Sequence, residues 1–256
     1  MSGTADAIVR WLRSRVDVAG ARGLVVGLSG GVDSAVAARL CQMAAPDHTL
    51  GVILPCHSVP ADEADAALVA RHFGLPAITI PLDAVYDTLM ASCDAARRGL
   101  PAGPSAEPSA QDDEHARLAR ANIKPRLRMT TLYFVANRLN SLVVGTGNRS
   151  ELAVGYFTKH GDGGVDVLPL GNLLKSEVRV LARELGVPAP IIDKVPSAGL
   201  WVGQTDEGEM GFTYAELEAY LTEGPRAVAP AVALKIERLG RASEHKRALA
   251  PRPDER

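Results

Sequence analysis

A turn of small and polar residues, set between an apolar run and a helix-like pattern, constrains this chain most. The apolar run ends at Gly27, and the chain continues as Leu28-Ser29-Gly30-Gly31-Val32-Asp33-Ser34. Glycines let a backbone approach an anion closely, and N–H groups at a helix start point into one concavity. The turn lacks the Gly-Lys-Ser/Thr of a Walker A loop and the spacing of a GxGxxG fingerprint. We interpret residues 27–34 as a phosphate-binding loop, and a glycine-rich turn without a ligand is the alternative.

Short apolar runs alternate with helical patterns along the chain. Strands are predicted over 24–28, 50–54, 77–80 and 142–145, with helices over 34–43, 61–73 and 84–96. Nearly continuous apolar strands separated by helices favour an α/β fold, with a parallel sheet covered by helices on both faces. Ligands of such sheets bind outside the carboxyl ends of the strands. We therefore expect the turn at 27–34 and a second turn at 146–148 to face one crevice.

Composition limits the class of protein. The 256 residues are 46% apolar, and 28 basic against 30 acidic side chains leave a formal charge of −2. This indicates a single globular domain over residues 1–256 and offers no electrostatic argument for nucleic-acid binding. No apolar run approaches the roughly 18 residues of a membrane span, and the three cysteines show no paired spacing. We expect a cytoplasmic protein with no membrane partner.

Three segments break the alternation of strands and helices. Residues 99–113 are rich in Pro, Ala and Ser, which predicts a mobile loop. Residues 199–211 are Gly-rich and acidic and include Trp201, a pattern that suits a mobile lid and an idle surface loop equally. The charged residues 247–256 are expected to form a frayed tail.

Two further blocks carry polar groups in unusual density. Residues 155–166 hold four glycines, a lysine and two aspartates, so they cannot form a regular helix or strand and are expected to surround a ligand. Residues 145–151 place Glu151 five positions after Thr146. Residues 122–129 form a basic turn that enters a helix.

Taken together, these blocks resemble the NAD synthetase family of ATP pyrophosphatases. The Ser-Gly-Gly-Val-Asp-Ser turn is similar to the pyrophosphate-binding loop of the whole superfamily. The resemblance to NAD synthetases is far more specific in the stretches GYFTKHGDGGVDVLPLGNLLKSEVR and PSAGLWVGQTDEGEMGFTY and in the run from Glu244 to Arg247. The resemblance implies that ATP adenylates the nicotinate carboxylate of deamido-NAD, and that ammonia then gives NAD⁺ and AMP. It implies no covalent nucleophile from the protein.

The resemblance also implies the residues that bind each substrate. ATP is expected to contact Gly27, Leu28, Ser29, Gly30, Gly31, Val32, Asp33, Ser34, Thr146, Lys175 and Ser197. Deamido-NAD is expected to contact Arg126, Lys159, Asp166, His245 and Lys246. Asp33 and Glu151 are expected to hold Mg²⁺, which prefers one or two carboxylates with phosphate oxygens and waters.

Several of these residues have an alternative interpretation in which they bind no ligand. Glu151 is a surface carboxylate in one such interpretation, and Arg126 and Arg128 lie on a solvated helix face in another. His245 is an ordinary tail residue in a third. No role is assigned to His160 or Trp201.

The resemblance implies a homodimer with the dinucleotide at its interface. The helix after Arg126 is apolar on more than one side, which suits such an interface, and a helix fully buried within one subunit is the alternative. The resemblance occupies most of the chain, so we expect free ammonia or an amidase on another polypeptide as the nitrogen source. Rival interpretations are another ATP pyrophosphatase, such as a tRNA thiolase or GMP synthetase core, and a non-catalytic ATP-sensing module.

Overall fold

Four parallel strands form the central sheet in the part of the chain that the computed structural model describes, residues 3–98, 110–201 and 203–252. They are β1 (Gly23–Gly27), β2 (Thr49–Ile53), β3 (Ala77–Thr79) and β4 (Ser141–Val144), arranged in the order β3-β2-β1-β4. Val25 lies opposite Leu50 on one side and Val143 on the other. All four predicted strands are confirmed, with bounds that differ by about one residue.

Helices follow the strands and cover the sheet. They are α1 (Gly3–Val18), α2 (Val32–Ala44), α3 (Pro60–Phe73), α4 (Asp83–Arg98), α5 (Ala110–Ala121), α6 (Ile123–Leu139), α7 (Arg149–Val154), α8 (Lys175–Glu184), α9 (Ala189–Ile192), α10 (Asp206–Met210), α11 (Tyr214–Glu223), α12 (Pro230–Ala242) and α13 (Glu244–Arg247). A short 3₁₀ turn at Pro225–Ala227 joins α11 to α12.

The two faces of the sheet bury separate cores. Side chains alternate along a strand, so Leu24 and Val26 enter one core while Val25 enters the other. The first core includes buried residues of α1, α2, α3, α8 and α9. The second is closed by Val135 and Ala136 of α6. The predicted sheet with helices on both faces is therefore confirmed.

A third apolar cluster lies in the C-terminal part of the chain. Met210, Phe212, Tyr214, Leu217 and Ile236 bury their side chains there, packed against α7. Neither this cluster nor α11 and α12 was predicted from the sequence. Through this cluster, α10 and α11 pack against α7, the helix that carries Glu151, one of the two residues expected to hold Mg²⁺.

The structure corrects part of what was predicted for the irregular segments. Residues 110–113, predicted as loop, begin α5, and the remainder of the predicted loop at 99–109 lies outside the described residues. Residues 199–211 include α10, and Thr205 caps that helix by accepting a hydrogen bond from the Gly208 N–H. Arg247 does not fray: its guanidinium donates to the carbonyls of Leu152 and Gly240. Within the described ranges, no helix is both long and apolar enough to cross a bilayer.

Candidate functional site

The phosphate loop joins β1 to α2 and is shaped by its own hydroxyl groups. Ser34 Oγ donates to the Gly31 carbonyl (2.9 Å) and accepts from the Ser29 N–H (3.2 Å). Gly30 has φ +78°, and a Cβ on it would lie 2.4 Å from the backbone oxygen of Asp62. Only glycine fits there, because a side chain would meet both a steric block and a disfavoured backbone conformation.

Backbone groups are what this loop offers a ligand. The side chains of Leu28 and Val32 are buried in the core, 4% exposed each. Helix α2 begins at Val32, so its first N–H groups have no intrahelical acceptor and face the loop. This arrangement suits an anion, as the sequence predicted. A role for the Val32 side chain is excluded by its burial.

Asp33 and Glu151 meet at the edge where β1 and β4 end. Asn148 is the N-cap of α7, and its side chain accepts from the Glu151 N–H while Glu151 Oε2 accepts from the Asn148 N–H. This capping box fixes the carboxylate of Glu151. The Asn148 side-chain amide also donates to Asp33 Oδ1 (3.0 Å), so one residue orients both carboxylates.

The ammonium of Lys175 lies between these two carboxylates. Its Nζ is 2.6 Å from Asp33 Oδ2 and 3.2 Å from Glu151 Oε1, and its side chain is only 4% exposed. Burial alone would lower the pKa of Lys175, but attraction to the two carboxylates raises it above its usual range. Burial raises the pKa of Glu151 to about 7, although Lys175 favours its charged form.

Two residues of this site, Tyr214 and Asp206, were not predicted from the sequence. Tyr214 OH donates to Asp206 Oδ2 (2.8 Å) and lies 3.4 Å from Glu151 Oε1, and the Tyr214 ring is 5.2 Å from the Lys175 ammonium. Asp206 is buried, its burial raises its pKa, and its Oδ1 has no hydrogen-bond partner among the described residues. Both residues belong to the specific stretch from Pro196 to Tyr214, which was the available signal.

The other two residues expected at ATP, Thr146 and Ser197, form no hydrogen bond with this cluster in the part of the chain that the structure describes. Thr146 is half-buried in the turn after β4. Ser197 is exposed, and its hydroxyl accepts a hydrogen bond from the Gly199 N–H (3.1 Å). Their roles stay predictions.

Most of the residues expected at deamido-NAD lie together and are joined to each other. Lys159 donates to the carbonyl of His245 (2.6 Å), and Arg126 Nε is 3.4 Å from the carbonyl of Lys159. Lys246 donates to the carbonyls of Gly155 and Phe157, 2.8 Å each. The tail segment therefore closes over the glycine-rich loop 155–166.

Asp166 is held by two donors. Tyr133 OH donates to its Oδ1 (2.9 Å), and the Val143 N–H donates to its Oδ2 (2.8 Å). The carboxylate thus ties the glycine-rich loop to α6 and β4. A contact with deamido-NAD through its remaining lone pairs stays a prediction.

The structure also places the residues that had no assigned role. His160 is exposed and adopts a left-handed backbone conformation, φ +58°. Trp201 is half-buried, and the Arg117 guanidinium lies 4.6 Å from its ring centroid. Arg128, expected on a solvated helix face in one alternative, is half-buried, whereas Arg126 is exposed.

Comparisons with known proteins point to one family. The model of the family described as NAD synthase matches residues 4–250. An NH(3)-dependent NAD(+) synthetase from Carboxydothermus hydrogenoformans is 51% identical, over 97% of this chain and 96% of that protein. The solved structure of NMN synthetase from Francisella tularensis has TM-score 0.86 and 38% identity over 99% of both chains. That of NAD⁺ synthetase from Burkholderia pseudomallei has TM-score 0.73 and 33% identity, over 96% of this chain and 90% of that one.

Replacing Lys175 with methionine is expected to destabilise the protein. The change leaves Asp33 and Glu151 facing each other without a cation, which costs about 3 kcal/mol of unfolding free energy. Urea unfolding with and without Mg²⁺ measures this. Added Mg²⁺ should restore more stability to the variant than it adds to the wild type, because a ligand of the folded state stabilises it.

The matched control is Lys235→Met on α12, a lysine with no carboxylate within 4 Å among the described residues. It should unfold like the wild type. A Lys175→Met variant as stable as this control would show that the ammonium does not balance the two carboxylates.

Proposed function

This chain belongs to the NAD synthase family, and on that premise we propose that the site around Lys175 is where it consumes ATP. The reaction is the ATP-dependent amidation of deamido-NAD with ammonia, catalysed by a ligase that forms a C–N bond. The rival ATP pyrophosphatases and the non-catalytic module lose their support, because the family match spans residues 4–250. The observation that carries the assignment of the site is the meeting of Asp33, Glu151 and Lys175 beside the phosphate loop.

The chemistry needs positioning and charge more than a protein nucleophile. An oxygen of the nicotinate carboxylate attacks the α-phosphorus of ATP, and the bond from that phosphorus to pyrophosphate breaks. Ammonia then attacks the acyl carbon, loses a proton, and AMP leaves with its electron pair. We propose that the first N–H groups of α2 and the loop amides from Ser29 to Ser34 stabilise the charge on the phosphate oxygens.

Asp33 and Glu151 fit Mg²⁺. Their oxygens converge on one ammonium, 2.6 and 3.2 Å away, so they face a common point. No group of three or more His, Cys, Asp or Glu side chains in the described ranges forms a metal site. Mg²⁺ suits such a two-carboxylate site because it takes its other ligands from phosphates and water. When bound, it would neutralise charge on the leaving pyrophosphate.

Lys175 has a second part in this proposal. Its ammonium sits where the two carboxylates point, and a flexible four-carbon stem lets it move. We propose that the ammonium shifts toward the phosphates when a metal ion takes up the carboxylates. The expected contact between Lys175 and ATP is then compatible with the ion pairs of this structure.

Nicotinic acid mononucleotide is a second substrate to test in the same assay. The Francisella tularensis protein is an NMN synthetase, and it shares 38% identity with this chain. Nicotinic acid mononucleotide carries the same reacting carboxylate as deamido-NAD and lacks only the adenylyl half. We propose deamido-NAD as the preferred substrate, tested by NAD⁺ and NMN formation from the two substrates in competition. Faster formation of NMN would assign the chain to the mononucleotide.

The dinucleotide site and the subunit interface are proposed together. Phe134 and Leu139 on α6 are 63% and 45% exposed, so α6 is not fully buried within one subunit. Leu127, two helical turns before Phe134, lines an apolar groove with Val85 and Leu89 of α4. We propose that this α4–α6 face joins two copies of the chain in a C₂ dimer and that Arg126, exposed beside it, reaches deamido-NAD. The single domain over 1–256 and the cytoplasmic location stay predictions.

Removing either metal carboxylate charge should abolish most turnover. Asp33→Asn and Glu151→Gln are each expected to lower kcat at least about a hundredfold, because each weakens the charge that positions Mg²⁺. Steady-state assays at saturating Mg²⁺ measure the loss, and Asp47→Asn, an exposed aspartate between α2 and β2, is the control. Turnover near wild type in folded Glu151→Gln would remove Glu151 from the metal site.

Ammonia, and not glutamine, should support synthesis by the purified chain. At fixed total ammonium the rate should rise with pH as NH₄⁺ becomes NH₃, because only the free amine has a lone pair for attack. NAD⁺ formation with each donor across a pH series checks both expectations. Robust synthesis from glutamine would contradict the first, and a rate independent of pH would contradict the second.

A charge on α6 should separate the dimer. Phe134→Asp is expected to give monomers in sedimentation and to weaken binding of deamido-NAD more than binding of ATP, because it lies on the face that carries Arg126. Leu249→Asp, at a position 95% exposed, is the control. A wild-type chain that is monomeric and fully active at assay concentrations would overturn the shared-site proposal.

A further inference from the structure

Two positively charged side chains on the first turns of α6 are withdrawn from solvent without a direct ion pair among the described residues. Lys124 is 8% exposed, and Arg128, one helical turn later on the same face, is half-buried. No carboxylate of the described residues lies within 4 Å of either cation. Buried charges in proteins are ordinarily paired, so this pair requires a reason.

The contacts of both cations are to neutral acceptors. Arg128 donates from Nε to the Leu54 carbonyl (3.0 Å) and from Nη2 to Ser58 Oγ (3.1 Å). Lys124 donates to the Leu200 carbonyl (2.8 Å). A guanidinium has five N–H donors and an ammonium three, so these bonds use two and one of them. Donors remain on both side chains for a further acceptor.

The surroundings make the positive charges unfavourable. Burial lowers the pKa of Lys124 and of Arg128, and the Arg128 charge lowers the pKa of Lys124 further, while the more distant Asp83 carboxylate opposes both shifts without cancelling them. Lys124 also stands in the first turn of α6, where the helix dipole disfavours a cation. The face of the Tyr86 ring, 5.9 Å from Nζ, is a weak partner at that distance. The site therefore gains if an anion enters it.

Arg128 is linked to the phosphate loop through the segment that follows β2. Leu54, which accepts from Arg128, follows β2, and the preceding Val52 carbonyl accepts from the Leu28 N–H of the phosphate loop. Arg128 thus lies at the same carboxyl edge of the sheet as the loop amides.

Lys124 is linked to a residue near the phosphate loop through the loop at 199–211. Leu200, which accepts from Lys124, follows Gly199, and a Cβ on Gly199 would lie 3.7 Å from Asp62 Oδ2. The backbone oxygen of Asp62 is the atom that closes over Gly30. The segment that accepts from Lys124 therefore lies near Asp62, the residue whose backbone oxygen closes over Gly30.

We propose that Lys124 and Arg128 form a binding site for an anionic group, a phosphate or a carboxylate, of a nucleotide substrate lying beside the phosphate loop. This inference rests on the proposed placement of ATP and deamido-NAD at this edge. Lys124 and Arg128 would add their positive charge to that of Lys175 and Mg²⁺ in the proposed function. Either substrate carries the required chemistry, and the experiment separates them.

Isothermal titration of the full-length protein with α,β-methylene-ATP and with deamido-NAD, each alone, tests the site. Lys124→Met and Arg128→Met should each weaken one of the two ligands at least about tenfold, the scale of one lost hydrogen bond to a charged group. Weaker binding of the ATP analogue assigns the anion to ATP, and weaker binding of deamido-NAD assigns it to the dinucleotide. Arg71→Met, an exposed cation on α3, is the control.

Thermal unfolding without ligand separates an anion site from a loop anchor. An anion site predicts that Lys124→Met melts at the wild-type temperature or higher, since a buried unpaired charge has been removed. If the melting temperature falls, the affinity of Lys124→Arg decides between an anion site and a loop anchor. An affinity within about threefold of the wild-type value supports the anion site. Loss of binding in Lys124→Arg equal to that in Lys124→Met overturns it, as do unchanged affinities in both methionine variants.

Failure of this inference is distinct from failure of the proposed function. Wild-type protein that binds neither nucleotide would refute the placement of the substrates. Wild-type protein that binds both, with methionine variants that bind equally well, refutes the role of Lys124 and Arg128 alone.

Discussion

Charge balance at the carboxyl edge of the sheet is the constraint on which the rest of this protein depends. The Lys175 ammonium pairs with Asp33 and Glu151, all three largely withdrawn from water. Burial disfavours the charged form of Glu151, and the Lys175 ammonium favours it, so the cation offsets part of the cost of burying this carboxylate. The chain brings the three groups from α2, α7 and α8, so the ion pairs also join the N-terminal half of the fold to its C-terminal half.

The arrangement of helices around this cluster follows from that requirement. The capping box of α7 fixes Glu151, and the side-chain amide of Asn148 donates to Asp33 and so orients that carboxylate as well. Helices α10 and α11 add Asp206 and Tyr214 from the third apolar cluster. The proposed site for ATP and Mg²⁺ would need such preorganised groups, since catalysis by positioning fails when the groups are loose.

Local patterns made the sheet and the phosphate loop predictable from the sequence. Apolar runs such as Leu24–Val26 and the Ser-Gly-Gly turn carry their structure within a few residues; the strands and the tight turn between β1 and α2 were confirmed, while phosphate binding by the turn stays a prediction. The pairing of Lys175 with Asp33 was not predictable in this way, because it joins residues 142 positions apart and the same lysine suits phosphates equally well. Arg128 was misjudged in one alternative for a similar reason: its burial depends on the loop after β2, which no pattern within α6 reveals.

Helix α6 connects the parts of the site that are otherwise separate. Its first turns carry Lys124, Arg126 and Arg128, which contact the loop at 199–211, the glycine-rich loop and the segment after β2. Its later turns carry Tyr133, bonded to Asp166, and the exposed Phe134. In the proposed dimer, a second copy that packs on Phe134 would contact the same helix whose first turns carry Arg126, the residue expected at deamido-NAD. One helix would then set the geometry of both the proposed interface and the proposed substrate site.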